Sequence, residues 1–443
     1  MTTGFAAIPD AADYLLRNAR VPACLIDAAT VASDADGFAL TDIAVTGGRL
    51  ASLLPAGTDS LPDGGAVLDL DRGIVLPRLV DVHTHLDKGH IWPRQPNPDG
   101  TFAGALSAVG ADREANWSAE DLRSRMAFGL RCAQAHGTAA IRTHLDSIGA
   151  QIGISWPVFA EMRAEWRGRI ALQATPLFGV ELVADAAHMA VIVDAVTRHG
   201  DGLLGCVTYM IPELDAALDT LFSTAIAHGF DLDFHVDETN DPAARSLEHI
   251  ADAALRHRFG GRILAGHCCS LALQAPQDEA RIVAKVREAG IAVVSLPMCN
   301  MYLQDRSRGR TPRWRGVTAL HELRAAGVPA MIASDNTRDP FYAYGDLDLV
   351  EVLREGTRIL QLDHCESDWV RAITREPAAV MGLDGAGTLA PGGPADMILT
   401  RARSWTEFFA RPQADRTVLV AGRAIDRTLP DYRDLDHLMS SRA

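Results

Sequence analysis

Residues 73–88, GIVLPRLVDVHTHLDK, join an apolar run of strand length, Ile74–Val82, to two histidines one residue apart. From Gly73 onward the chain repeats the first half of this pattern. Short apolar runs alternate with amphipathic stretches of helical length, as expected for a parallel α/β sheet. About eight such units follow one another. Strands are expected at Ile74–Val82, Thr138–Thr143, Ile170–Thr175, Leu203–Thr208, Asp231–His235, Arg262–His267, Ile291–Leu296 and Pro329–Ser334. Helices are expected between them: one opened by Ser118 and closed by Gly137, then Trp156–Trp166, Ala186–His199, Leu214–His228, Ala243–His257, Glu279–Gly290, Val317–Ala326 and Leu347–Ile359. Strands each followed by a helix fit a closed (β/α)8 TIM barrel better than an open sheet.

The ends of the chain read differently. Asp13–Val21 and Leu40–Leu54 have the composition of short strands, with a hairpin-like turn at Gly47-Gly48. The tail carries the turn-rich Gly387–Asp396 and the strand-like Met397–Thr400 and Val418–Val420. The expected organisation is therefore residues 1–72 and 385–443 forming one small β-sandwich from both ends, around a catalytic barrel over residues 73–384.

A chain of 443 residues with 48% hydrophobic content can bury a core of this size. Its net charge of −15 speaks against a general nucleic-acid or anionic-membrane surface, which would require clustered Lys and Arg. A small neutral or cationic substrate suits it better. Seven cysteines, two of them adjacent at Cys268-Cys269, suit reduced thiols better than a disulfide framework. The first residues, MTTGFAAIPDAADYLLRNARV, lack a basic start followed by an unbroken apolar stretch, and no segment has the length of a membrane span. A cytoplasmic protein, assembled as a homo-oligomer, is expected.

In a barrel, functional groups stand at the C-terminal ends of strands. Here those ends carry His83 and His85, His235, His267, and Ser334-Asp335. Alternation along a strand sends His83 and His85 to the same side, where two imidazoles can meet one ion. A lone His-x-His can equally be a pair of satisfied core residues. The company of His235 and Asp335 at other strand ends favours metal. Glu238, three residues beyond His235, is close enough to shuttle protons without ligating. The alternative, an acid placed to favour a helix start, applies at least as well to Asp237.

Val82-His83-Thr84-His85-Leu86-Asp87-Lys88, His235-Val236-Asp237-Glu238, Ala265-Gly266-His267 and Ser334-Asp335-Asn336 together resemble the amidohydrolase superfamily, and within it the cytosine deaminase branch. The resemblance extends to Ile141–Asp146, Tyr302-Leu303-Gln304, Arg315–Thr318 and Asp339–Tyr342. It implies one divalent ion, Zn2+ or Fe2+, held by His83, His85, His235 and Asp335, with Glu238, His267 and Asp335 as catalysts. Strand four offers Cys206-Val207-Thr208-Tyr209 and no lysine, so the carbamylated-lysine bridge of two-metal relatives is absent. The chemistry implied is addition of a metal-activated water to an amino-bearing ring carbon, with ammonia expelled. Cys268-Cys269 lack the spacing of a zinc pair and read as packing residues.

Departures from the branch bear on the substrate. Cytosine deaminases carry a glutamine where this chain has Leu177, and a second aspartate where it has Asn336. An unmatched polar edge costs on the order of 1–3 kcal/mol, so cytosine itself is a poor fit. Phe178 and Phe341 are candidates for flat walls against a planar ring or for rim packing, and Gln304 for a pocket contact or a solvent-facing amide. The basic stretch Arg306–Arg315, which contains Trp314, reads as a lid, subunit contact or solvated loop ahead of a nucleic-acid surface. The long loop His90–Asn116 is a second lid candidate. The function expected is metal-dependent hydrolytic deamination of a small amino-substituted nitrogen heterocycle: cytosine, isocytosine or a related pyrimidine, purine or triazine. The alternatives are cleavage of a cyclic amide, removal of an alkylamine from a triazine ring, and a binding or scaffold protein without turnover.

Overall fold

The computed structural model describes residues 5, 7–27, 32–58, 65–363 and 368–439. Among these the chain divides into two compact units. One comprises Met1–Val80, Arg131–Ala140 and Asp348–Pro430, and the other Asp81–Leu130, Ile141–Leu347 and Asp431–Ala443. No helix among the described residues is long and apolar enough to cross a membrane.

In the first unit, the strands Asp13–Pro22, Phe38–Thr46, Arg49–Pro55 and Ala66–Asp69 form one sheet. The turn at Gly47-Gly48 has both residues at positive φ, as a tight hairpin linking right-twisted strands requires. A second sheet joins Val75–Pro77 to Met397–Leu399, Thr417–Val420 and Arg423–Ala424. Tyr14, Leu16 and Val45 share one buried core with Met397, Leu399 and Leu419, so residues from both ends of the chain bury the same apolar surface.

The second unit is α/β. Leu79–Thr84, Thr138–Asp146 and Ala171–Leu177 form a three-stranded sheet. Val207–Thr208, Asp231–Val236, Ile263–His267, Ile291–Ser295 and Ala330–Ile332 follow one another as parallel neighbours in a second sheet. Two parallel bridges, Thr84 to Asp335 and Gly179 to Val207, link the edges of these sheets. The helices bury the faces their periodicity indicates. In Ser246–His257 the buried Leu247, Ile250, Ala251 and Ala254 recur at the three- and four-residue spacing of one helical face.

Three elements differ from expectation. The run Ile74–Val82 is two strands, and they lie in different sheets: Val75–Pro77 pairs antiparallel with Met397–Leu399, whereas Leu79–Thr84 enters the three-stranded sheet. Pro77 has no N–H to continue a ladder, and the chain changes partner after it. His90–Asn116 is not all loop. Phe102–Asn116 is a helix, capped by the Thr101 hydroxyl accepting from Gly104 N at 3.0 Å. Its small residues and two glycines leave no clear apolar stripe to read in sequence.

The run Leu203–Thr208 is likewise interrupted, pairing only through Leu203–Leu204 and Val207–Thr208. Gly205 lies in the gap, where a Cβ would stand 1.6 Å from the carbonyl oxygen of Asp233 in the neighbouring strand. Only a residue without Cβ allows that approach, and the neighbouring strand carries His235. Gly205→Ala is expected to lower unfolding free energy by about 3 kcal/mol or more, as backbone overpacking does. Urea denaturation checks this, and an unchanged midpoint would contradict it.

Candidate metal centre and active site

The polar strand ends converge. His83 lies in Leu79–Thr84, with His85 just beyond it, His235 lies in Asp231–Val236, and His267 is the last residue of Ile263–His267. Asp335 follows Ala330–Ile332, tied to the first of these strands by its N–H donating to His83 O at 2.9 Å. His267 and Asp335 adopt positive φ, at 67° and 62°. Left-handed backbone at non-glycine residues is uncommon and is retained where surrounding structure over-determines it. Here it occurs at two of the strand ends that deliver polar side chains to a common point.

The side chains meet at ligand spacing. His85 Nε2 is 3.2 Å from His235 Nε2 and 3.2 Å from Asp335 Oδ1, while His83 Nε2 is 3.5 Å from the same oxygen. A tetrahedral ion with Zn–N bonds of about 2.0–2.1 Å separates neighbouring ligand atoms by roughly 3.3 Å, so this donor set fits one cation. His83 Nε2 and both Asp335 carboxylate oxygens are buried with no hydrogen-bond partner. Burial holds His83, His85 and His235 well below the ordinary histidine pKa, which leaves neutral imidazoles with nitrogen lone pairs to offer. Burial also pushes the Asp335 carboxyl up to about 7 in the absence of a cation. Such a group gains most from a positive charge beside it.

Glu238 and His267 flank this centre. The Glu238 carboxyl is pushed well above the usual range by burial and then by the negative charge of Asp335. His267 Nδ1 lies 3.5 Å from Glu238 Oε1, and burial lowers its pKa to about 3. Asp237 has a different task. Its carboxylate accepts from Ser246 N at 3.0 Å, Ser246 Oγ at 2.6 Å and Leu247 N at 3.1 Å, capping the helix Ser246–His257. The helix-start alternative thus applies to Asp237, and Glu238 is left facing the centre.

A cavity of about 750 Å³ opens onto His85, His235, His267 and Glu238. Leu177, Phe178, Gln304, Asn336 and Phe341 all line it, so the five expected substrate contacts share one wall system. Asn336 Nδ2 donates to Asp339 Oδ2 at 2.8 Å, and Gln304 Nε2 donates to Glu238 O at 3.3 Å. Both amides are therefore held by protein groups. Phe102 meets Phe341 edge-on at 5.5 Å between ring centres. Beside the basic stretch, Asp305 accepts from the side chain of Arg310 and from the backbone of Arg313 and Trp314, which ties the loop to a local acid.

Three polar residues given no role from sequence also stand here. His144 Nε2 lies 3.1 Å from His83 Nδ1, behind the proposed ligand atom. Lys88 is buried 2.7 Å from Asp146, which also pairs with Arg113 at 2.8 Å. Asn300 donates to both Glu238 and His267. The signal for His144 and Lys88 lay in the motifs already singled out, whereas Asn300 is hidden among apolar neighbours in Pro297–Leu303. Cys268 and Cys269 are buried, with thiols pushed up by burial, consistent with packing.

Comparison with known proteins places the chain among relatives. The profile of the Amidohydrolase family matches residues 165–426. Over 441 residues, covering 100% of both chains, the sequence is 54% identical to a pterin deaminase from Rhizobium rhizogenes. It is 23% identical to an N-isopropylammelide isopropyl amidohydrolase from a Pseudomonas species, over 82% of this chain and 88% of that one. A crystal structure of 5-methylcytosine deaminase from Klebsiella pneumoniae superposes with a TM-score of 0.79 at 22% identity, covering 94% of this chain and 98% of that one. The N-isopropylammelide isopropylaminohydrolase from Burkholderia multivorans gives 0.74 at 25%, over 94% and 98%. With an Amidohydrolase-family match over more than half its length and a curated relative aligned from end to end, the chain belongs to the amidohydrolase family.

Proposed function

We propose that this enzyme is a metal-dependent hydrolytic deaminase whose substrate is a pterin, a bicyclic 2-amino-4-oxo ring. The observation that carries the reading is the full-length 54% identity to a pterin deaminase, joined to a cavity of about 750 Å³ with a hydrolytic cluster at its floor. A cavity of that volume has room for two fused rings, and Leu177 offers no amide to a pyrimidine edge. On this reading Leu177, Phe178 and Phe341 are apolar walls, and Gln304 and Asn336, each using one amide proton on the protein, offer the second as a polar edge.

The resident ion of this proposal is a single Zn2+ or Fe2+ held by His83, His85, His235 and Asp335. When bound it supplies Lewis acidity that brings a water molecule's pKa toward neutrality. Asp335 accepts a proton from water at a carboxylate oxygen. Glu238, whose negative charge is disfavoured by burial and then by Asp335, delivers its proton to the ring nitrogen beside C2. Water oxygen bonds to C2 as a hydroxyl. Glu238, now a carboxylate, takes the hydroxyl proton and passes it to the amine. The C2–NH2 bond breaks, ammonia leaves as the C2 carbonyl forms, and the proton held on Asp335 returns to Glu238. The product carries oxygen where the amino group stood. His267 orients the reacting oxygen from its side of the cluster.

The two linked parallel sheets are proposed to close as a (β/α)8 barrel, supported by the bridges Thr84 to Asp335 and Gly179 to Val207. The two sheets that share a core from both chain ends are proposed as a β-sandwich, supported by the joint burial of Tyr14, Val45, Met397 and Leu419. Closure would bring the first and last strand ends together, as the site requires.

The enzyme is expected to release ammonia stoichiometrically from pterin, with the loss of the 2-aminopteridine absorption, and Glu238→Gln is expected to lower kcat by about 10²–10⁴-fold. Ring opening without ammonia, or full turnover in Glu238→Gln, would contradict the proposal. His83→Ala is expected to lower metal affinity by at least about tenfold while circular dichroism stays that of the folded protein. Elemental analysis after dialysis checks it, and wild-type metal content in that variant would remove His83 from the ligand set.

A further inference from the structure

Asn300 lies in the short helix Pro297–Leu303, which follows the strand Ile291–Ser295, and its side chain is fully buried. Its Nδ2 stands 3.1 Å from Glu238 Oε1 and 3.0 Å from His267 Nδ1. A side-chain amide nitrogen has two protons and no lone pair to accept with. Both partners must therefore accept: Glu238 through a carboxyl oxygen, His267 through the lone pair on Nδ1. A neutral imidazole that accepts at Nδ1 carries its proton on Nε2, and His267 Nε2 is buried without a hydrogen-bond partner.

The backbone is pinned to match. Gln304 N donates to Asn300 O at 2.9 Å, and Gln304 Nε2 reaches back to Glu238 O at 3.3 Å. Gly316, at φ +80°, closes over this segment where a Cβ would stand 2.7 Å from Asn300 O and 2.6 Å from Gln304 Cβ. Asparagine suits the position because aspartate would offer acceptors to two acceptors, while serine would supply one proton for two partners.

We propose that Asn300 is a positioning residue that fixes His267 in its Nε2–H tautomer and, with the same amide, aims the Glu238 carboxyl. His267 then acts in the reaction as a hydrogen-bond donor and not as a proton acceptor, which leaves proton transfer to Glu238 and Asp335. The inference rests on Glu238 and His267 flanking the reacting carbon, as proposed above, but the tautomer is observable without substrate.

The test is 15N-histidine NMR of the zinc-loaded enzyme, with the His267 signals assigned by their absence in His267→Gln. The wild type is expected to show His267 protonated at Nε2 and unprotonated at Nδ1. Asn300→Asp, an acceptor in the donor's place, is expected to move the proton to Nδ1 and lower kcat by about 100-fold, with KM within about threefold of wild type and metal content unchanged. A wild-type His267 protonated at Nδ1, or Asn300→Asp retaining kcat within about threefold, would overturn the proposal. Should Asn300→Asp fail to fold, the wild-type spectrum still decides, and Asn300→Ser is expected to show mixed tautomers with reduced kcat. Full turnover in Glu238→Gln would end the shuttle role of Glu238 while leaving the tautomer result standing.

Discussion

Five neutral imidazoles, those of His83, His85, His144, His235 and His267, are buried around the carboxyl of Asp335. Removing so many polar groups from water without enough donors to satisfy them is costly, because a buried unsatisfied group costs on the order of 1–3 kcal/mol. Among the orphaned atoms, His83 Nε2 and the Asp335 oxygens belong to a group of His83, His85 and Asp335 whose ligand atoms stand within 4.8 Å of one another. A cation would turn this arrangement from a liability into a binding site. The rest of the unit can be understood as scaffolding that keeps these groups aimed at one point.

That scaffolding is itself polar and buried. Asp81 accepts from Ser334 N at 3.2 Å, joining the strand of His83 to the segment that delivers Asp335. Asp87 accepts from Asp146 N at 2.7 Å, joining the loop after His85 to the strand of His144. Arg125 donates to Asp87 O and Gly89 O while pairing with Asp121, and Arg94 bridges Asp112 and Asp121. Each link crosses from one strand end or helix to another. Breaking one would leave a buried charge without its partner, which is far more costly than losing a surface ion pair. The positive φ at His267 and Asp335 adds on the order of 1–3 kcal/mol each, a strain borne where the side-chain direction matters for chemistry.

Much of this was legible from sequence because periodicity and position carry it. His83 and His85, one residue apart at the end of an apolar run, and Asp335 at the end of another, needed only the rule that parallel strands present their functional groups at one end. Asp237 and Glu238 could be told apart only in part, since both are acids near a helix start. The difference is three-dimensional: Asp237 caps a helix nine residues away, and its neighbour points the other way. Asn300 was illegible because its partners, Glu238 and His267, are 62 and 33 residues distant and its own surroundings are apolar. The helix Phe102–Asn116 was missed because alanine and glycine give it no stripe, and the strand change after Pro77 because both halves are equally apolar.

On the proposed reading, the choice of substrate rests on what surrounds the centre more than on the centre itself. Leu177, Phe102, Phe178 and Phe341 line the cavity, and Asn336 and Gln304 each donate one amide hydrogen bond to the protein. All of this presupposes one ion and no second. X-ray absorption at the metal edge, on enzyme loaded with one equivalent of Zn2+, tests that claim most directly. The account predicts a shell of nitrogen and oxygen only, with the multiple-scattering signature of the imidazoles of His83, His85 and His235. A sulfur shell, or scattering from a second metal, would contradict it.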